Sequence, residues 1–305
     1  MNIVIAGGTG FLGSALTTAL LDEGHSVTLL TRQSPGAEKA RDRLRYVQWL
    51  PDGAAGVWKT VITDANVLVN LAGESIAARR WTANQKEKIL QSRVLATRSL
   101  VQAINLSPAS PRVFVSGSAV GYYGPRSDEV ITEEQKPGSD FLASVCRQWE
   151  IEAERAASTH TRVVCLRTGL VLDRRGGALP KMLPPFWFGA GGPVGSGRQY
   201  WPWIHLQDWV DLVRFVIRTP TATGPINVTA PNPLPNAEFA RALGRTLHRP
   251  ALLPTPGFAL KLLLGEMADG LLLSGQRAVP GKAERLGHTF SFRDLEPALH
   301  TIFSR

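Results

Sequence analysis

The chain has 305 residues, 44% hydrophobic and 19% charged, with a formal net charge of +9. This composition is that of a soluble globular protein with room for one α/β domain and an appendage. It contains no run of 18 or more apolar residues that would span a membrane and no secretory leader, and its two cysteines, Cys146 and Cys165, are too few for a disulfide framework or a metal site. A reducing, cytoplasm-like compartment, no metal and no membrane partner are therefore expected. The basic residues are spread along the chain, with their densest groups at Lys39, Arg41, Arg43 and Arg45, at Arg79-Arg80 and at Arg174-Arg175. No nucleic-acid motif accompanies them, so no nucleic-acid partner is expected. A basic surface that attracts a polyanionic cofactor explains the charge.

The first 32 residues organise the rest. Asn2 to Ala6 reads as a strand, Gly7-Gly8-Thr9-Gly10-Phe11-Leu12-Gly13 as a glycine turn opening a helix that runs to Glu23, and Ser26 to Leu30 as a second strand ending in Thr31-Arg32. The three glycines at 7, 10 and 13 fit a dinucleotide-binding turn: a tight turn, a close approach to a pyrophosphate, and close packing of helix on strand. The helix N-terminus then offers its free N–H groups and positive dipole end to phosphate. Arg32 stands where an NAD-preferring protein carries an acid, and it suits a 2′-phosphate, hence NADP(H). The plain alternatives are an ordinary glycine-rich turn and a solvated loop arginine.

A polar connection, Gln33 to Arg45, leads to a third strand, Tyr46 to Leu50. Thr60 to Ala65 reads as a short helix or turn, and Val67 to Gly73 as a buried central strand whose end, Asn70-Leu71-Ala72-Gly73-Glu74, faces the ligand side. A long helix is expected from Thr82 to about Ile104, a strand from Arg112 to Ser116, a helix from Ser139 to Ala157 with Asp140 in its cap, and a sixth strand from Arg162 to Leu166 ending in Arg167-Thr168-Gly169. Strands alternating with helices predict right-handed βαβ units and a doubly wound parallel sheet. Beyond Gly169 the chain becomes turn-rich and aromatic, as a substrate lobe would. A helix from Asp208 to Arg218 with Asp208 as N-cap, a strand from Ile226 to Thr229, a helix from Asn236 to Leu247 with Asn236 as N-cap, and apolar helical stretches at Phe258 to Leu264 and Glu266 to Leu273 complete the reading. The expected division is 1–170 Rossmann domain, 171–249 substrate lobe, 250–305 small C-terminal domain.

The glycine turn, Asn70 to Glu74, Ser116 to Gly124 and Arg198 to Asp208 resemble the extended short-chain dehydrogenase/reductase superfamily. Asn70-Leu71-Ala72-Gly73-Glu74, Ser92-Arg93, Gly191-Gly192-Pro193-Val194-Gly195-Ser196-Gly197 and Trp201-Pro202-Trp203-Ile204-His205 look like an atypical branch, the sugar-nucleotide epimerase family that includes bacterial YfcH. The tail from about Pro250 is similar to that family's small C-terminal domain. The resemblance implies a Rossmann fold, NADP(H) and an oxidoreductase or epimerase activity on a small hydroxyl or carbonyl substrate such as a nucleotide sugar. It also exposes a departure: where the superfamily carries Tyr-x-x-x-Lys, this chain has Phe141 and Val145, neither of which can move a proton.

Ser118 matches the family's catalytic serine position, so Ser118, Tyr122 and Glu74 are the candidate catalytic residues. Tyr123 is an alternative to Tyr122, and Arg93, Arg147 and Lys181 are the cations that could assist. Aromatic packing and a helix N-terminal charge are the plain alternatives for the tyrosines and for Glu74. Cofactor contacts are expected from Gly7, Thr9, Gly10, Phe11, Leu12, Gly13, Thr31 and Arg32, from Leu71, Ala72, Gly73, Glu74 and Arg93, and from Ser116, Arg167, Thr168 and Gly169. A non-catalytic NADPH-binding sensor or scaffold is the competing reading, and the oligomeric state is left open between monomer and homodimer.

Overall fold

A computed structural model of the chain describes residues 1–33 and 42–304; Lys39 and Arg41 of the expected basic group lie outside the described residues. The first half gives strands β1 (Asn2–Ala6), β2 (Ser26–Thr31), β3 (Leu44–Gln48), β4 (Val67–Asn70) and β5 (Val113–Ala119). Interleaved with them are helices α1 (Phe11–Asp22), α2 (Thr60–Thr63) and α3 (Ala83–Asn105). Then follow β6 (Val130–Ile131), α4 (Phe141–Glu154), β7 (Arg162–Thr168), β8 (Leu170–Asp173), β9 (Gly176–Gly177) and α5 (Leu179–Trp187). Strands β10 (Tyr200–Trp201) and β11 (Trp203–His205) lead into α6 (Leu206–Arg218), β12 (Gly224–Val228), β13 (Leu234–Pro235) and α7 (Asn236–Leu247). The tail holds α8 (Gly257–Leu264), α9 (Glu266–Ala268), β14 (Arg277–Ala278), α10 (Gly281–Arg285) and α11 (Leu295–Phe303).

Seven strands form one parallel sheet in the order β12-β7-β5-β4-β1-β2-β3. The chain order reverses between β1 and β4, and ligands of such sheets bind at that crevice. Alternate residues of each strand serve opposite faces. Ile3 and Ile5 pack with Leu16 and Leu20 of α1 and with Trp209 and Val213 of α6. Val4 and Ala6 pack with Ile62 of α2 and with Ala96 and Leu100 of α3. Burial on both faces explains why these strands read as continuous apolar runs. A third core joins the lobe to the tail: Trp203, Phe239 and Leu243 pack with Leu295, Leu299 and Ile302.

Several boundaries differ from expectation for local reasons. The third strand is Leu44–Gln48 rather than Tyr46 to Leu50; the Trp49 N–H still donates to the Thr31 carbonyl of β2 at 2.9 Å, and the Trp49 ring meets Trp58 edge-on at 5.4 Å. β5 continues through Gly117 and Ser118 to Ala119, pairing Ser118 with Arg167. Gly117 has no side chain because a Cβ there would lie 2.7 Å from the Trp149 ring pressed against the strand. β7 likewise runs on to Thr168. Asp208 is not the N-cap of α6: His205 caps it by accepting from the Gln207 N–H at 3.1 Å, and the Asp208 carboxylate instead accepts the Ser291 and Phe292 N–H groups at 2.8 and 2.9 Å. Asn236 is not the cap of α7 either; its Oδ1 accepts the Val194 N–H at 2.6 Å and pins the glycine-rich 191–197 loop.

Candidate active site

The turn between β1 and α1 has the shape a pyrophosphate needs. Gly7 adopts φ +79°, and a Cβ there would strike the backbone of Leu71 at 2.6 Å. A Cβ on Gly13 would lie 2.3 Å from the Gly7 carbonyl, so helix and strand pack closely only because position 13 is glycine. A Cβ on Gly10 would meet the chain no closer than 3.4 Å, so the protein itself leaves that space clear. No side chain caps α1 and no acid stands in its first turn, which leaves its amides and dipole available to an anion. Thr9 and Gly10 are exposed, and Phe11 and Leu12 are half-buried. At the end of β2, Thr31 donates to the Gln33 carbonyl, while the exposed Arg32 side chain hydrogen-bonds to no described residue. These residues fit a phosphorylated dinucleotide.

The end of β4 adjoins this turn. The Leu71 N–H donates to the Ala6 carbonyl at 2.8 Å, and the Ala72 N–H to Asn70 Oδ1 at 3.1 Å. Glu74 is anchored by its backbone, its N–H donating to Ser92 Oγ and its carbonyl accepting from Arg93 Nη1, both at 2.9 Å. No described residue hydrogen-bonds its half-buried carboxylate, which stands within electrostatic reach of Arg93. Gly73 lies against the Arg93 guanidinium, so Arg93 backs this strand end. Burial pulls the Arg93 pKa down, against the opposing pull of Cys146 and Glu74.

Behind the site lies a buried polar network that the sequence reading did not anticipate. Ser118 Oγ donates to Glu150 Oε1 at 2.6 Å, and Arg167 grips both oxygens of that carboxylate at 2.9 and 2.8 Å. Arg167 Nη1 also donates to Tyr123 Oη at 2.9 Å and to the Glu133 carbonyl at 3.2 Å. Tyr123 in turn donates to Asn227 Oδ1 at 2.6 Å. Glu133 accepts the Asn227 and Lys282 N–H groups at 2.9 and 3.0 Å, tying the tail to the same network. Burial pushes the Tyr123 phenol up to about 12, so this tyrosine is a fixed donor. Burial disfavours the Arg167 cation, and the Glu150 carboxylate more than reverses that.

Tyr122 differs from its neighbour. Its half-buried ring lies on the Arg167 guanidinium, 3.4 Å from Cζ to centroid, and edge-on to Tyr123 at 5.4 Å. Its hydroxyl bonds to no described residue. The cation in contact with the tyrosines is Arg167, 3% exposed, and not one of the three expected to assist, Arg93, Arg147 and Lys181; its guanidinium is spent inside the protein and presents no face to a phosphate. Arg147 is exposed on α4, and Lys181 reaches the Ala77 carbonyl at 3.3 Å. Ser116 is wholly buried and turned to the Gly117 carbonyl, Thr168 accepts from Trp209 Nε1, and Gly169 packs on the Pro202 carbonyl. Thr168 and Gly169 hold the lobe to the sheet. Phe141 opens α4 behind its Asp140 cap, edge-on to Trp81 at 5.1 Å with Lys86 Nζ 5.1 Å from its ring centroid, and Val145 is buried.

Residues 3–229 match the NAD dependent epimerase/dehydratase family. The chain belongs to that family. Residues 255–302 match a second family described as a domain of unknown function, DUF1731. Within the epimerase family the chain is 40% identical to the epimerase family protein YfhF of Bacillus subtilis, over 100% of this chain and 98% of the relative. It superposes on the crystal structure of human epimerase family protein SDR39U1 with NADPH at a TM-score of 0.90 and 36% identity, covering 100% of this chain and 99% of that one. A nucleoside-diphosphate sugar epimerase structure from Corynebacterium glutamicum matches at a TM-score of 0.79 and 34% identity, covering 99% of this chain and 58% of that one. As a family member, the chain carries the Rossmann sheet and glycine turn.

Proposed function

We propose that this chain is an NADP(H)-dependent oxidoreductase or epimerase acting on a small hydroxyl or carbonyl compound, with nucleotide sugars as the first class to test. The observation that carries the reading is the clear space over Gly10 at the uncapped start of α1, beside the strand ends that bear Glu74 and Tyr122. Gly7 to Gly13 cradle the pyrophosphate, Arg32 takes the 2′-phosphate, and Leu71 to Glu74 lie along the nicotinamide half. A bound cofactor supplies the hydride acceptor. Tyr122 is the proton-transfer group, because its hydroxyl is left for the substrate while its ring is fixed on Arg167. Ser118 and Glu150 hold Arg167 in that pose. An epimerisation would require the Tyr122 phenolate, which the adjoining Arg167 cation favours, to take the substrate's hydroxyl proton and give it back, while a bound nicotinamide would accept the hydride and return it to the opposite face. The buried thiols Cys146 and Cys165 suit a reducing, cytoplasm-like compartment.

The crowded position of Phe141, covered by Trp81 and Lys86, favours a second reading. Here the chain binds NADPH without turnover, as a sensor or scaffold. Fluorescence titration with NADPH and NADH tests the common part: NADPH is expected to bind at least ~10-fold more tightly, and Arg32→Ala to remove the difference. Equal binding in the unaltered chain would sink the Arg32 assignment. Turnover of nucleotide sugars or small carbonyls by the wild-type chain, lost in Tyr122→Phe with NADPH binding retained, separates enzyme from sensor.

A further inference from the structure

Helix α8 reads Gly-Phe-Ala-Leu-Lys-Leu-Leu-Leu, and none of its eight residues is buried. So short a helix is not held by backbone bonds alone, and one apolar on nearly every side belongs under cover. Phe258, Leu262 and Leu263 are 77%, 80% and 67% exposed. The strap before it exposes Leu252 and Leu253. That strap is tied to the loop after α5, the Leu253 N–H donating to the Gly191 carbonyl and the Thr255 N–H to the Pro193 carbonyl. The exposed end of α5, Trp187 and Phe188, enters this loop. Among the described residues, seven of the thirteen exposed large hydrophobics fall in these two tied segments. Single exposed apolar residues are ordinary; a cluster of this kind marks an interaction surface.

The charge beside the cluster says what covers it. Leu252 also walls an open cavity of about 440 Å³ whose other lining side chains include Arg241, Arg245, His248 and Arg249; Arg245 is paired with Glu296, while Arg241 and Arg249 form no ion pair with a described residue. On the far flank Arg80 reaches the Leu262 carbonyl. The acids near α8, Glu266 and Asp269, are paired with Lys86 and Lys261. Aromatic and leucine side chains bordered by arginines match the boundary between anionic headgroups and acyl chains. A symmetric second copy would bring the same basic cavity, on a chain of net charge +9, toward itself.

We propose that this face docks reversibly on a bilayer rich in anionic phospholipid, with α8, the Leu252-Leu253 strap and the end of α5 at the headgroup boundary and the arginine cavity on the phosphates. The docking is peripheral, since no helix among the described residues is long and apolar enough to cross a membrane. It amends the sequence expectation of no membrane partner.

Co-sedimentation of the full chain with vesicles tests this, using phosphatidylcholine alone and phosphatidylcholine with about a third phosphatidylglycerol. Retention on the anionic vesicles is expected to exceed that on the neutral ones by ~10-fold and to fall with added salt. Phe258→Ser with Leu262→Ser, and separately Arg241→Glu with Arg249→Glu, are expected to abolish it. All four positions are exposed, and NADPH binding reports that each variant is folded. Three outcomes would each overturn the proposal: no retention on either vesicle, equal retention on both, or retention that neither double variant alters. A dimer in solution that Phe258→Ser with Leu262→Ser converts to monomer also overturns it, by giving the face to a second copy.

Discussion

At the scale of single residues, the three glycines of the cofactor turn are needed for different reasons, and the difference is measurable. Position 13 faces the protein, where any Cβ collides with the Gly7 carbonyl and the Gly8 Cα. Gly13→Ala is expected to cost about 1–3 kcal/mol in denaturant unfolding, the range of overpacking. Position 10 faces the cofactor space, so Gly10→Ala changes stability by no more than about 1 kcal/mol, the scale of an N-cap exchange. NADPH affinity should nonetheless fall at least ~10-fold in that variant. A Gly10→Ala protein that binds NADPH normally would remove the cradle argument. Both roles were legible in the sequence, because the spacing of 7, 10 and 13 between a strand and a helix already carries them. The positions of Tyr122 and Tyr123 were not. Adjacent residues at a strand end can point to opposite sides, and only the fold puts Tyr123 inside on Asn227 while leaving the Tyr122 hydroxyl unbonded.

At the scale of elements, the site is braced by one buried ion pair between α4 and β7. Removing one partner of such a pair strands the other charge, at a cost of about 3–5 kcal/mol. Glu150→Gln and Arg167→Met are each expected to lose that much in urea unfolding, and the double variant to lose much less than the sum. Additive losses would mean that the two residues act separately. This pair was the main feature missed in the sequence, although its signal was there. Glu150 sits on the stripe of α4 that otherwise buries Ala143, Cys146, Trp149 and Ala153, and Arg167 follows a run of four apolar residues in β7. A charge on an apolar stripe requires an opposite charge facing it. The order of the central elements was readable because their apolar runs are long, whereas β6, β13 and β14, two residues each, carry no periodicity to read. The caps were misassigned at Asp208 and Asn236 because a short polar side chain at a helix start can serve a distant loop as readily as its own helix.

At the scale of the whole molecule, the tail is part of the main fold. Phe290 and Ala283 share the sheet-face core, and His288 packs between Phe215 of α6 at 5.0 Å and Phe290 at 4.7 Å. Burial lowers the His288 pKa below 6.5, and Asp211 pulls the other way. The folded state therefore favours the neutral ring, while the unfolded chain protonates near 6.5. That contribution to stability is complete above about pH 6.5 and is lost as the pH falls below it toward the lowered folded value. His25 is shifted in the same sense by burial, the N-terminal amine and Arg218. Melting temperature is thus expected to drop between about pH 8 and about pH 5.5, and His288→Phe to flatten part of that drop. A profile that His288→Phe leaves unchanged would put the sensitivity elsewhere.

The pairing of Val130–Ile131 with Arg277–Ala278, together with the Lys282 amide on Glu133, also bears on how the chain is made. During synthesis the residues around Glu133, which brace the back of the candidate site, leave the ribosome well before their partners at 277–282. Strands β1 to β5 and α1 can assemble as they emerge, but the segment around Glu133 waits for residues 277–282. A nascent polypeptide lacking residues beyond 276 holds the cofactor turn with the Glu133 brace still open, so the brace closes only after residues 277–282 have emerged.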